Sequence, residues 1–198
     1  SQTHREMASG LSSPVGFKNG TDGNIDMAVN AIKSTLRPHH FLGITKDGRS
    51  AIFHTRGNRY GHVVLRGGLR PNYDHANVAY CEALLKGAGL PLSIVIDCSH
   101  GNSEKDPGRQ PEVLQDGVHQ ILAGNKSIVG FMLESHLHAG RQSIPADLRA
   151  LDPEVSVTDA CLDWESTEKA LRQACDQLKG VLRRRWGRCR RRKSPGQP

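Results

Sequence analysis

The chain has 198 residues, 36% of them hydrophobic and 5% aromatic, with a formal net charge of +7. No uninterrupted apolar stretch reaches the roughly 18 residues that a membrane span needs, so we expect a soluble, cytoplasmic protein without a membrane partner. The charge is uneven, because residues 183–198 hold seven arginines, one lysine and no acidic residue. Residues 1–182 therefore sum to −1 and predict a globular domain, followed by a disordered, arginine-rich tail over residues 183–198.

Four segments along the chain repeat the order strand, polar loop, helix. Each begins with a short run of branched apolar residues, which is typical of a strand buried on both faces of a parallel sheet. The predicted strands are residues 15–17, 62–68, 92–98 and 127–133. The helical segments that follow carry apolar residues three and four positions apart. Right-handed crossovers between such units give a parallel sheet with the helices outside it.

Two segments depart from this order. Residues 1–12 predict a weak amphipathic helix with no strand before it. Between the first two units, the turn sequence Asp47-Gly48 separates two short apolar segments and predicts a β-hairpin off the main sheet. After the first strand, Thr21 or Asp22 is expected to cap the following helix. The fold class is therefore α/β, with about four β/α units and a hairpin excursion, a pattern that resembles the second half of a (β/α)8 barrel.

Charged side chains stand where the predicted strands end. Lys18 and Arg66 follow the first two strands, His100 and Glu134 the next two, and Asp159 lies in the long loop before the last helix. Each one alone is commonly a solvated or hydrogen-bonded residue. However, the carboxyl ends of parallel strands open at one edge of a sheet, and charges there are costly unless they meet a ligand or each other. The five together predict one shared site.

The two cations suit an anionic ligand. Arg66 can hold a phosphate or carboxylate through two parallel hydrogen bonds, and Lys18 offers a point charge. Glycines follow both cations, at Gly20 and at Gly67-Gly68, and they would let the backbone approach an anion closely. These loops therefore predict a phosphate- or carboxylate-binding surface.

The remaining three residues, His100, Glu134 and Asp159, form a mixed nitrogen and oxygen set that suits a divalent metal able to polarise a carbonyl oxygen. A second set of possible metal ligands is Glu134, His136 and His138. Residues two apart share one face of a strand, so these three side chains could meet one ion. We place this set second, since His138 already lies in loop sequence. Two cysteines, Cys98 and Cys161, are additional candidates as soft ligands.

With these residues, five segments resemble class I 3-deoxy-D-arabino-heptulosonate 7-phosphate (DAHP) synthases. They are PVGFKNGTDG at 14–23, VLRGG with PNY within 64–73, IDCSHGNS at 96–103, MLESHL at 132–137 and SVTDAC at 156–161. The resemblance covers about residues 1–180 in order. It implies that residues 1–182 are the C-terminal half of a metal-dependent (β/α)8, or TIM, barrel.

The resemblance implies a transferase, 3-deoxy-7-phosphoheptulonate synthase, which condenses phosphoenolpyruvate with D-erythrose 4-phosphate in the first step of the shikimate pathway to chorismate and the aromatic amino acids. On the matching positions, Lys18 and Arg66 bind phosphoenolpyruvate. His100, Glu134 and Asp159 are three of four metal ligands, for a divalent ion of the Mn, Fe, Co or Zn class. His100 also neighbours phosphoenolpyruvate, and Lys18 and His100 are the catalytic residues. The full-length enzyme is expected to be a homo-oligomer that does not bind nucleic acid.

The family's fourth metal ligand, a cysteine, matches no position of this sequence, and neither does its Lys-Pro-Arg-Thr substrate loop. The resemblance therefore predicts a fragment that carries about half of a site and has weak or no activity by itself. Two other interpretations stay open. One is a catalytically inert binding module whose basic tail contacts nucleic acid, and the other is a different phospho-sugar aldolase on a similar barrel.

Overall fold

A computed structural model describes residues 1–191 of the chain. Two short 3-10 turns, Pro107–Arg109 and Leu148–Ala150, lie in its loops. The helices and strands, in chain order, are α1 (Gln2–Ser9), β1 (Val15–Lys18), α2 (Asp26–Thr35), β2 (His40–Ile44), β3 (Ser50–His54), β4 (Gly61–Leu65), α3 (His75–Gly87), β5 (Ile94–Asp97), α4 (Gln110–Leu122), β6 (Ile128–Met132) and α5 (Trp164–Arg191).

Four of the strands form one sheet. Its order is β1-β4-β5-β6, and every neighbouring pair is parallel. Strands β2 and β3 pair only with each other, as an antiparallel hairpin whose turn contains Gly48 at φ +75°. The α/β class, the parallel sheet of four β/α units and the separate hairpin are confirmed.

The helices cover one face of the parallel sheet. Apolar side chains of α2, α3, α4 and α5 pack with alternate strand residues in a single buried cluster. Fully burying one such aliphatic side chain contributes about 1.5–3 kcal/mol, so this layer fixes the strands firmly. The strand residues in the cluster are Val63, Leu65, Ile94, Ile96 and Ile128. Because successive residues of a strand alternate between its faces, Lys18 and Asp97 project to the opposite face.

The start of α2 differs from the prediction. Neither Thr21 nor Asp22 caps the helix, which begins at Asp26. The backbone N–H of Asp26 donates instead to Oδ1 of Asn24, at 2.8 Å. Gly23 has a φ of +93° and turns the chain just before Asn24. The Asp-Gly pair therefore makes a turn of its own and moves the beginning of the helix downstream.

The last helix is longer than predicted. Helix α5 continues to Arg191, whereas the sequence predicts a boundary at residue 182 and a disordered tail beyond it. Arginine has a high helix propensity, and Arg185 donates to the carbonyl oxygen of Ile128 at 3.2 Å, which ties this part of the helix to β6. Residues 192–198 of the predicted tail lie outside the described residues. Within residues 1–191, no helix combines the length and the apolar character that a membrane crossing requires.

Candidate metal and anion site

Three buried asparagines join the loops at the carboxyl edge of the sheet. Oδ1 of Asn19 accepts from the backbone N–H of Arg66 at 2.8 Å, and Oδ1 of Asn72 accepts from that of Gly67 at 2.7 Å. Asn102 donates to the carbonyl oxygens that end β4 and β5, and its Oδ1 accepts from the backbone N–H of Asn72 at 2.8 Å. Sequence analysis missed these residues, although asparagine after a buried strand is a typical loop-bonding signal.

Glycines let the same loops touch. A Cβ atom on Gly67, where φ is +73°, would overlap the backbone of Gly101 and Asn102. A Cβ atom on Gly68 would overlap the backbone of Gly23. These glycines therefore permit close packing of three loops, and the approach of an anion to their backbone stays a prediction.

The structure brings His100, Glu134 and Asp159 together. Nε2 of His100 lies 3.4 Å from Oε1 of Glu134 and 3.6 Å from Oδ2 of Asp159. One ligand atom from each residue lies within 4.8 Å of the others. A tetrahedral ion with ligand bonds of about 2.0–2.1 Å holds its ligands about 3.3 Å apart. The donor types and their separations therefore fit a divalent metal.

A buried glutamine fixes the position of Glu134. Gln110, which is fully buried, accepts from the backbone N–H of Glu134 at 2.8 Å and donates to its carbonyl oxygen at 3.0 Å. The hydroxyl of Ser99 donates to Oε2 of the same glutamate at 2.7 Å. This leaves Oε1 directed at His100. The sequence gives no signal for Gln110, which lies at the start of a helix far along the chain from Glu134.

Asp97 links the ammonium of Lys18 to the candidate metal ligands. Its carboxylate is fully buried, and Oδ2 lies 2.9 Å from Nζ of Lys18 and 2.8 Å from Nδ1 of His100. The contact with His100 is close but off the direction of the ring N–H. Its other oxygen accepts from the backbone N–H of Ser99 at 3.0 Å. Carboxylates beside the far nitrogen of a metal-ligating histidine orient its ring, and Asp97 lies in that position relative to Nε2 of His100.

Asp97 falls within the predicted strand 92–98, and the sequence assigned it no role in the site. The available signal was a carboxylate ending a buried apolar run, since such a group requires partners. The sequence predicted Lys18 as a point charge for an anion, whereas in the structure its ammonium pairs with Asp97. The cation and the candidate metal ligands are thus parts of one connected cluster.

Arg66 lies beside this cluster. Its carbonyl oxygen accepts from the backbone N–H of Gly101 at 3.0 Å, next to His100. Its Nε is buried and has no hydrogen-bond partner among the described residues. Within residues 1–191 its guanidinium forms no ion pair. The group therefore has unused donors.

The second metal set considered from the sequence is not formed. Nδ1 of His136 lies 2.5 Å from the carbonyl oxygen of Glu154, and Nε2 of His138 lies 3.2 Å from Oε2 of the same residue. Both histidines therefore contact Glu154, while Glu134 groups with His100. The loop turns directly after Glu134, which removes the alternation that a continued strand would give.

The two cysteines considered as soft ligands are poor candidates. Burial raises the pKa of the Cys98 thiol far above its usual value, and the adjacent Asp97 raises it further. Burial also raises the pKa of the Cys161 thiol, and the nearby charges of Glu134 and Asp159 raise it further. Cys98 also lies in the apolar cluster between the sheet and the helices, and neither cysteine belongs to a group of candidate metal ligands within residues 1–191.

The fold and the site define an α/β protein with a candidate divalent-metal centre at the carboxyl ends of parallel strands. The chain belongs to the DAHP synthetase I family, whose sequence model matches residues 1–172. The family resemblance inferred from the motifs is thereby confirmed.

Several relatives are closely similar. The Tyr-sensitive phospho-2-dehydro-3-deoxyheptonate aldolase of Salmonella typhimurium is 53% identical over 182 residues, which cover 92% of this chain and 51% of that protein. The Phe-sensitive enzyme of Escherichia coli strain K12 is 50% identical over 179 residues, 90% of this chain and 51% of that one. The structure of the Francisella tularensis aldolase matches with a TM-score of 0.85 and 48% identity, over 90% of this chain and 52% of that chain. The chain thus spans about half the length of these relatives.

Proposed function

We propose that this chain carries part of the active site of a 3-deoxy-7-phosphoheptulonate synthase, which condenses phosphoenolpyruvate with D-erythrose 4-phosphate. The observation that carries the proposal is the convergence of the His100, Glu134 and Asp159 ligand atoms beside the Lys18 and Asp97 pair. The names of the relatives, all phospho-2-dehydro-3-deoxyheptonate aldolases, support it. The sheet is then the C-terminal half of a (β/α)8 barrel, in keeping with the similarity to half of the Francisella chain.

His100, Glu134 and Asp159 would hold the metal through one ligand atom each, and the resemblance to the family implies a cysteine as the fourth ligand. When bound, a divalent ion of the Mn, Fe, Co or Zn class polarises the aldehyde oxygen of erythrose 4-phosphate. The imidazole Nε2 and the carboxylate oxygens lie 3.4 and 3.6 Å apart, which supports this assignment. Asp97 and Gln110 keep the first two ligands in place before the metal arrives.

The anionic groups of phosphoenolpyruvate bind to Lys18 and Arg66. Arg66 has a buried Nε without a partner among the described residues, and an unpaired buried donor costs about 1–3 kcal/mol. An anion that accepts from this group removes that cost. The ammonium of Lys18 has three donors, of which one meets Asp97, so the others are available to the substrate. The two cations are thus preorganised for charge that develops during the reaction.

In the proposed reaction, carbon 3 of phosphoenolpyruvate attacks the aldehyde carbon, water adds at carbon 2, and phosphate leaves by cleavage of the carbon–oxygen bond. Lys18 and His100 are the catalytic residues that we assign. Nζ of Lys18 donates one hydrogen bond to Asp97 and keeps further protons for the substrate. His100 serves both parts of the site, because Nδ1 contacts the carboxylate that pairs with Lys18 and Nε2 faces the metal ligands.

The test is turnover after the chain is paired with the N-terminal half of the Salmonella relative, which supplies the part of that protein that this chain does not match. Consumption of phosphoenolpyruvate in the presence of erythrose 4-phosphate and Mn²⁺ is followed by absorbance. We expect turnover that is lost in His100→Ala and kept in His75→Ala, a matched change at an exposed histidine on α3. Absence of turnover from the paired chain, or turnover unaffected by His100→Ala, would refute the assignment.

A further inference from the structure

We propose a second metal site, formed by His138, Asp152 and Glu154 in the long loop between β6 and α5. One ligand atom from each residue lies within 4.8 Å of the others. Nε2 of His138 and Oε2 of Glu154 are 3.2 Å apart, close to the separation of about 3.3 Å that a tetrahedral zinc ion imposes on its ligands. This site is independent of the proposed catalytic activity and of the ligands assigned to it.

The backbone, rather than the ligand side chains, brings the two parts of the loop together. The backbone N–H of His138 donates to the carbonyl oxygen of Glu154 at 2.8 Å. The side chain of Gln142 accepts from the backbone N–H of Asp152 at 3.0 Å and donates to the carbonyl oxygen of Val155 at 2.8 Å. The imidazole and the carboxylates are therefore held side by side before any ion binds, which lowers the entropic cost of binding.

The charges in this cluster favour a cation. Two carboxylates face one imidazole, and neither carboxylate pairs with a lysine or an arginine within residues 1–191. A divalent ion carries the charge that neutralises both carboxylates. Magnesium and calcium prefer oxygen-only sites, while a mixed imidazole and carboxylate set suits zinc, cobalt or nickel. The ion expected at this site is thus a transition-metal ion such as zinc, cobalt or nickel.

Binding of such an ion would stabilise the folded conformation of the loop. Its large apolar side chains are exposed, with Ile144 at 64% and Leu148 at 68% of their full accessible surface. Hydrophobic burial therefore contributes little to its order. An ion bound by His138, Asp152 and Glu154 would close the loop, and the free energy of metal binding would stabilise that folded conformation. The flanks of the loop carry Glu134 and Asp159, so closure would also hold those two residues near each other.

Zinc binding tests this site in the 198-residue chain. His100→Ala first removes the candidate active-site ligand, and Zn²⁺ and Co²⁺ are then titrated by calorimetry and by the visible absorption of cobalt. We expect one equivalent to bind to His100→Ala. Adding His138→Ala should weaken the affinity at least about tenfold, since even outer-shell substitutions at metal sites cost 10–100-fold. His75→Ala in the same background is the matched control and should leave the affinity unchanged.

A second readout follows the loop itself. Arg141 and Arg149 are exposed trypsin sites within it. Zn²⁺ should slow cleavage at both in His100→Ala, and should not slow it after His138→Ala or Glu154→Gln is added. In the chain with His100 intact, His138→Ala should lower the number of zinc equivalents by one. Absence of zinc binding by His100→Ala, or equal affinity of the His138→Ala and His75→Ala variants in that background, would overturn the second site.

Discussion

The two sides of the candidate active site are built differently. His100 lies in a loop whose buried polar groups bond to the ends of β4 and β5 and to Glu134, and its side chain is 15% exposed. Asp159 comes from a long loop with few buried side chains, and its carboxylate is 64% exposed. One side of the set of candidate ligands is therefore fixed by the core, whereas the position of the other side depends on a loop with little packing of its own. We call these the buried side and the exposed side.

The largest effect is expected on the buried side, from Asn102→Ala. This fully buried amide makes three hydrogen bonds to the backbone. Each buried group that loses its partner costs about 1–3 kcal/mol, so we expect the free energy of unfolding to fall by at least about 3 kcal/mol. Urea denaturation measures it. Asn30→Ala, at an exposed position of α2, is the control and should change stability little. Equal stability of Asn102→Ala and Asn30→Ala would contradict the claim that the core fixes the buried side.

Asp97→Asn should have the next largest effect. Breaking a fully buried ion pair costs about 3–5 kcal/mol, but the side chain of Lys18 is 39% exposed, so we expect a smaller loss of about 2 kcal/mol. The change also releases the imidazole of His100, and metal affinity should fall by about tenfold. Denaturation and metal titration measure the two effects. Asp22→Asn, which keeps an acceptor oxygen at an exposed turn, should alter neither.

A substitution at the start of α3, the helix behind the buried side, should have a smaller effect on stability that depends on pH. Asp74 caps α3 by accepting from the backbone N–H groups of Ala76 and Asn77. Partial burial by itself would raise the pKa of Asp74, but the hydrogen bonds from Asn77 and Ala76 outweigh it, and the pKa lies below the usual 3.8. Asp74→Ala should therefore cost about 1 kcal/mol at neutral pH.

The sign of the pH dependence follows from the lowered pKa. The folded state favours the ionised carboxylate, so its contribution is complete above the unfolded pKa of about 3.8 and is lost as the pH falls through the lower folded value. The difference in Tm between the unsubstituted chain and Asp74→Ala should shrink below pH 4. A difference that grows as the pH falls would contradict the assigned role of the cap.

The smallest effect is expected on the exposed side. Leu148 is 68% exposed, and surface substitutions away from specific interactions change stability by less than about 0.5 kcal/mol. Leu148→Ala should therefore leave the denaturation midpoint almost unchanged. Leu65→Ala, in the core of β4, is the matched comparison and should cost about 2–5 kcal/mol. Similar losses at both positions would mean that the loop is packed as firmly as the sheet.

Local patterns predicted most of the fold and the identities of the clustered ligands. The alternation of apolar runs and amphipathic segments identified the four β/α units, and charges at strand ends identified His100 and Glu134, because both signals are local in sequence. The roles of Gln110 and Asp97 were not predicted, since each depends on partners brought close only by the fold. The extent of α5 was also missed, because a charge run suggests solvation while Arg185 finds carbonyl oxygens near β6.

The central claim is that His100, Glu134 and Asp159 of this chain bind one divalent ion, and a Mn²⁺ titration tests it most directly. The measurement uses electron paramagnetic resonance of the 198-residue chain carrying His138→Ala, so that the second site does not contribute. We expect one bound Mn²⁺, lost in Glu134→Gln and kept in Glu165→Gln, an exposed glutamate at the start of α5. Equal Mn²⁺ binding by the two glutamine variants, or no binding by the parent chain, would contradict the claim.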